Sequence, residues 1–114
     1  GAIYENVAAQ ELKAHGFELY YFNSKKQGEL DFVIEYKGNV LPLEIKSGKA
    51  YTRHNALDNV LKEERYAIPQ AFVFCNKNIS TQEKIVYLPI YMIGFLEKEK
   101  IEEYIYSIDL SALQ

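Results

Sequence analysis

Apolar positions along the chain fall into two rhythms. Ile3, Val7, Ala8 and Leu12 recur at helical spacing, which predicts a helix over residues 2–15, with Gly16 as its stop. From residue 17 the rhythm changes to short apolar and aromatic runs set between polar turns. Phe17–Phe22, Glu29–Tyr36 and Val40–Lys46 read as three strands, separated by Asn23–Gly28 and by Lys37-Gly38-Asn39. Ser47–Arg53 is a basic loop, and Asn55–Arg65 reads as a second helix with Asn55 as N-cap. Ala71–Cys75 is apolar throughout and predicts an interior strand. Ile85–Leu88 is a fifth strand, which Pro89 breaks before a short helix over Tyr91–Leu96, and Glu97–Ser107 is charged and weakly helical. The order predicts an α/β domain with a mixed central sheet of about five strands flanked by helices.

The second and third strands are joined by a tight turn, and their side chains alternate between faces. Leu30, Phe32, Ile34 and Tyr36 share one face of the second strand; Asp31, Val33 and Glu35 share the other. On the third strand Leu41, Leu43 and Ile45 oppose Pro42, Glu44 and Lys46. With Lys37-Gly38 as the turn pair, Asp31 faces Glu44; with Gly38-Asn39 it faces Lys46. Either register brings Asp31, Glu44 and Lys46 to one side and joins the two apolar rows on the other.

The length of 114 residues fits a single domain able to bury a core without disulfides or a structural metal. With 48% hydrophobic and 25% charged residues the composition is globular, and no run is long enough to span a membrane. A net charge of −3 argues against a protein coated in nucleic acid over its whole surface, though not against a local basic patch. The one cysteine, Cys75, lies in an apolar run and reads as core, which fits a reducing cytoplasm. The ten tyrosines are chiefly packing residues, Tyr51 being the one placed for base stacking and a tyrosine-rich edge being a candidate homodimer surface.

Two carboxylates on neighbouring strands repel unless a cation joins them. Mg²⁺ or Mn²⁺ suits an all-oxygen site of this kind, with the Ile45 carbonyl as an added ligand. Lys46 would orient or deprotonate an attacking water, or neutralise charge on a phosphoryl transition state. The same three residues also fit an exposed cross-strand ion-pair cluster. Against that, Glu44 and Lys46 interrupt an otherwise apolar strand, Leu41-Pro-Leu-Glu-Ile-Lys46.

Gly28-Glu-Leu-Asp31-Phe-Val followed by Leu43-Glu44-Ile-Lys46-Ser-Gly resembles the core of the PD-(D/E)xK nuclease superfamily. The resemblance implies a restriction-endonuclease-like fold, catalytic Asp31, Glu44 and Lys46, a metal held by Asp31 and Glu44, and Glu5 as an auxiliary ligand from the first helix. Leu30 stands where the superfamily has its proline, and the second helix lacks a Q-x-x-x-Y element, so substrate polarity and end preference stay open. More narrowly, Tyr4-Glu-Asn-Val-Ala, Tyr20-Tyr-Phe and Tyr87-Leu-Pro-Ile, together with those two motifs, resemble the uncharacterised C-terminal domain of prokaryotic AAA-type ATPases. That implies an ATPase domain preceding residues 1–114; no Walker-type loop, and so no ATP site, lies within them.

Lys25 and Lys26 in the first turn, and Lys49, Arg53 and His54 after the third strand, are candidates to contact a phosphate backbone, although each also reads as an ordinary solvated residue. The function expected is Mg²⁺- or Mn²⁺-dependent hydrolysis of DNA phosphodiesters. The alternative is a catalytically silent nuclease fold that serves the ATPase as a DNA- or protein-recognition module.

Overall fold

A computed structural model describes residues 2–36 and 38–95; the charged segment expected over 97–107 lies outside the described residues. The elements are α1 (Ala2–Ala14), β1 (Tyr20–Ser24), β2 (Gly28–Tyr36), β3 (Asn39–Lys46), α2 (Asn55–Lys62), β4 (Ala71–Cys75), β5 (Ser80–Gln82) and β6 (Ile85–Pro89). Short 3-10 turns cover Glu64–Tyr66 and Ile90–Phe95. The strands form one mixed sheet in the order β1-β2-β3-β4-β6-β5. β1, β2 and β3 run antiparallel, β3, β4 and β6 parallel, and β5 returns antiparallel to β6.

The sheet has six strands, not about five. β5 is Ser-Thr-Gln, exposed at every position, and carries no apolar alternation. A hairpin holds it to β6, with Gln82 paired to Ile85 and Glu83 at φ +55 in the turn. β4 is buried at all five residues, as its composition requires of a central strand.

Each sheet face carries its own core. On one, Phe32, Ile34, Leu41, Leu43, Phe72 and Phe74 pack against Ala8 and Leu12 of α1. On the other, Leu30, Val33, Val73 and Tyr87 pack against Leu57 and Val60 of α2. α1 ends as its glycine predicts: Gly16 takes φ +87, and Phe17 N–H and Gly16 N–H donate to the Leu12 and Lys13 carbonyls. Phe17 is therefore a helix-end residue packed on Leu12, and β1 begins only at Tyr20. Ile3 and Val7, expected on the apolar side of α1, are 78% and 50% exposed, because the sheet covers only the stripe of Ala8 and Leu12.

α2 is shorter than its predicted span of 55–65. Glu63 turns extended at φ −78, ψ 101, and its carboxylate accepts from Arg65 N–H and Nε. The N-cap is His54 rather than Asn55, with its side chain engaged elsewhere. No helix among the described residues is long and apolar enough to cross a membrane.

Candidate metal centre

The β2–β3 hairpin closes at Tyr36 opposite Asn39, the register that sets Asp31 level with Glu44. The ladder runs back from there and stops at Phe32 opposite Leu43. On its other edge β2 pairs with β1 through Val33–Tyr20 and Leu30–Phe22, three steps along β2 for two along β1. That extra residue is a bulge at Asp31–Phe32. It rotates Leu30 to the α2 side, where it packs with Val33, although strict alternation had grouped it with Phe32 and Ile34.

Past the last ladder pair, side chains take over the backbone bonds. Ile45 N–H donates to Asp31 Oδ2 at 2.8 Å, and Asp31 N–H donates to Glu44 Oε1 at 3.2 Å. Each carboxylate thus holds the other strand's backbone, and the two carboxyl groups lie close enough for Asp31 to act on the titration of Glu44. Glu44 is 5% exposed and Asp31 half-buried. Burial, then the hydrogen bond and charge of Asp31, push the Glu44 carboxyl up to about 8; the Asp31 N–H and the Lys46 ammonium pull the other way and lose. At neutral pH Glu44 therefore keeps its proton.

Lys46 follows two residues after Glu44, on the same face of β3, and is half-buried. It acts on Glu44 through space and forms no ion pair among the described residues. Glu5 is half-buried in the first turn of α1, the helix that packs on the opposite sheet face. It does not complete a ligand set: among the described residues no three His, Cys, Asp or Glu side chains gather closely enough to hold an ion. The protein donors brought together are two carboxylates. One oxygen of each accepts a backbone N–H, and a cation held by the other two would displace the Glu44 proton. Hard carboxylate oxygens with few protein ligands suit Mg²⁺ or Mn²⁺.

β2 starts where β3 ends, so the β1–β2 turn and the loop after β3 occupy one edge of the sheet. Lys25, Lys26, Lys49 and Arg53 are all exposed along it. His54 is not. It is 7% exposed, with Nδ1 2.9 Å from Asp58 Oδ1 and Nε2 2.8 Å from the Tyr87 hydroxyl. The Asp58 carboxylate accepts from Nδ1–H, and in the neutral ring Nε2 then accepts from Tyr87 O–H. No ring nitrogen remains for a phosphate, and the place of His54 after a basic loop misled on this point. Tyr51 packs against Tyr87 in a T-shaped pair, rings 5.5 Å apart. The His54–Asp58 spacing was visible as a helical i, i+4 pair; the Tyr87 partner, 33 residues on, carried no local signal. Cys75 is core as expected, its thiol pKa pushed up by burial.

The sequence profile of one family, a domain of unknown function (DUF4143), matches residues 1–93, and such domains are typically found with AAA ATPases. No curated protein matches the chain.

Proposed function

The chain belongs to the DUF4143 domain family, and on that premise we propose that it is a nuclease-type domain of restriction-endonuclease-like fold, carried by an AAA-type ATPase and hydrolysing DNA phosphodiesters with Mg²⁺ or Mn²⁺. One observation carries the reading. Asp31 and Glu44, on adjacent strands, bring two carboxyl groups into contact at a point where the backbone ladder has been given up to seat them. A purely structural pair would not need two acids, since ionising the buried Glu44 beside Asp31 costs stability that a neutral side chain would avoid.

Asp31 and Glu44 would hold the cation, with the Ile45 carbonyl as a third oxygen. Bound there, such an ion supplies Lewis acidity to the phosphodiester and acidifies a nearby water. Lys46 would orient that water and balance charge gathering on the phosphoryl oxygens. Lys25, Lys26, Lys49 and Arg53 would position the strand through its phosphates without reading its sequence.

The second reading is a silent nuclease fold that serves the ATPase as a recognition module. The burial of Glu44 and its hold on a proton favour it. Calorimetry with Mn²⁺ and cleavage assays on single- and double-stranded DNA decide between them. The enzyme reading requires Mn²⁺ binding that Asp31→Asn abolishes and cleavage that Lys46→Ala abolishes while Mn²⁺ binding persists. Metal binding without cleavage points to the silent module, and absence of both removes the nuclease reading.

A further inference from the structure

The ends of the three parallel strands lie level: Lys46 pairs with Cys75 and Cys75 with Pro89. A cleft of about 670 Å³ opens at this rim, within the range of about 300–1,000 Å³ usual for ligand sites. Lys77 and Asn78, just beyond β4, form one part of its wall; Tyr4 of α1 and Tyr91 of the last 3-10 turn form another. Tyr4 is 46% and Tyr91 71% exposed. Asn76, also on the wall, donates to the Ser47 carbonyl at 2.8 Å and ties the cleft to the residue after Lys46. The cleft therefore lies on the rim where β4 and β6 end, beside the end of β3 that carries Lys46.

Single tyrosines on a surface need no explanation. Here two tyrosines from different elements line one cleft, together with an ammonium and an amide. An apolar ligand would leave Lys77 and Asn78 without use; a small inorganic anion would leave the two rings without use. A nucleotide uses all four. Its base stacks on phenol rings, its phosphate meets the lysine, and an amide can donate to and accept from a base edge.

We propose that this cleft receives an unpaired base of a nucleic-acid strand whose backbone runs along the rim to Asp31 and Glu44. The identity of the ligand rests on the nuclease-type reading; the cleft and its lining do not. Tyr4 and Tyr91 are stacking residues and Lys77 a phosphate contact. A strand held here is selected for being single-stranded or frayed, since a base within a duplex has no face to offer.

Fluorescence anisotropy of a short labelled oligothymidylate on the full chain tests this, with Ca²⁺ in place of Mg²⁺ so that no strand is cut. Tyr91→Ala is expected to weaken binding about tenfold, as loss of one stacked base does. Tyr91→Phe, which keeps the ring, should bind like wild type, and Tyr4→Ala should behave like Tyr91→Ala. Lys77→Ala should weaken binding and lower the slope of log affinity on log salt by about one. Thermal melts of each variant exclude misfolding. Wild-type affinity in both alanine variants, or failure of the wild type to bind oligothymidylate, overturns the proposal. Mn²⁺ calorimetry on the same samples reads the metal centre separately. Intact Mn²⁺ binding without strand capture defeats the cleft alone. Ring-dependent strand capture without Mn²⁺ binding defeats the nuclease reading alone.

Discussion

The Ile45 backbone N–H donates to the Asp31 carboxylate at 2.8 Å, a side-chain bond just beyond the point where the β2–β3 ladder stops. Asp31 is therefore both a structural acceptor and a candidate metal ligand, and two substitutions separate the roles. Asp31→Asn keeps an oxygen for Ile45 and removes the negative charge that opposes ionisation of Glu44. It is expected to melt at or above the wild-type temperature in chelator while losing Mn²⁺ binding. Asp31→Ala leaves the Ile45 N–H without its acceptor and should cost about 1–3 kcal/mol. Chemical denaturation and calorimetry measure both, and equal destabilisation by the two variants would contradict the acceptor role.

The Glu44 carboxyl gives the domain a pH dependence of definite sign. Burial first, then Asp31, lift it from the ordinary 4.5 to about 8 in the fold. The unfolded chain thus loses this proton at lower pH than the native one. Its contribution to stability is whole below about pH 4.5, declines between about pH 4.5 and 8, and levels off above, with a size on the order of a few kcal/mol. Glu44→Gln should flatten that decline. A divalent cation selects the ionised pair, so Mn²⁺ should raise the melting temperature more at pH 8 than at pH 6 and release a proton on binding. Parallel pH profiles for wild type and Glu44→Gln would refute this account.

The hairpin that builds the centre was legible because one of its faces is buried. Leu41, Leu43 and Ile45 against Phe32 and Ile34 fix which faces meet, and the turn closing at Tyr36–Asn39 then selects one of the two registers that hide them. The bulge at Asp31–Phe32 was not legible, since Leu-Asp-Phe-Val carries no glycine or other marker of an extra residue. Alternation consequently misplaced Leu30 while still bringing Asp31 to Glu44. β5 escaped notice because an exposed edge strand of Ser-Thr-Gln needs no apolar side chain. Ile3 and Val7 kept the helical rhythm without burial, because periodicity marks a face and not how much of it the sheet covers. The missing third carboxylate has a similar origin. Position in the first helix placed Glu5 near the right edge, but the helix packs on the opposite face from Glu44.

The His54 contacts differ in exposure, and so should the effects of removing them. Tyr87 is 3% exposed, so Tyr87→Phe strands Nε2 of a buried imidazole and should cost about 1–3 kcal/mol. The Asp58 side chain is 41% exposed, and water can replace it at Nδ1. Asp58→Ala should therefore cost less than about 1 kcal/mol. Urea denaturation of the two single variants ranks them, and the reverse order would mean that the Asp58 carboxylate, not the phenol, holds the histidine.

Gly28 opens β2 three residues before Asp31, and α2 presses on it there. Its φ is +105, and a Cβ built on it would lie 2.8 Å from the Ala56 Cβ. Gly28→Ala thus meets two obstacles, a strained backbone and a steric clash, which together should cost about 2–4 kcal/mol. Ala56→Gly alone should cost about 1 kcal/mol as a helix substitution. In the double variant the clash is gone and the strained φ remains. Its loss of stability should therefore fall short of the sum of the singles by more than the scatter of about 0.5 kcal/mol seen for independent sites. Denaturant unfolding of the four proteins closes the cycle. Simple additivity would show that the helix shifts away from an added methyl at little expense, and that the glycine is needed for its backbone angle alone.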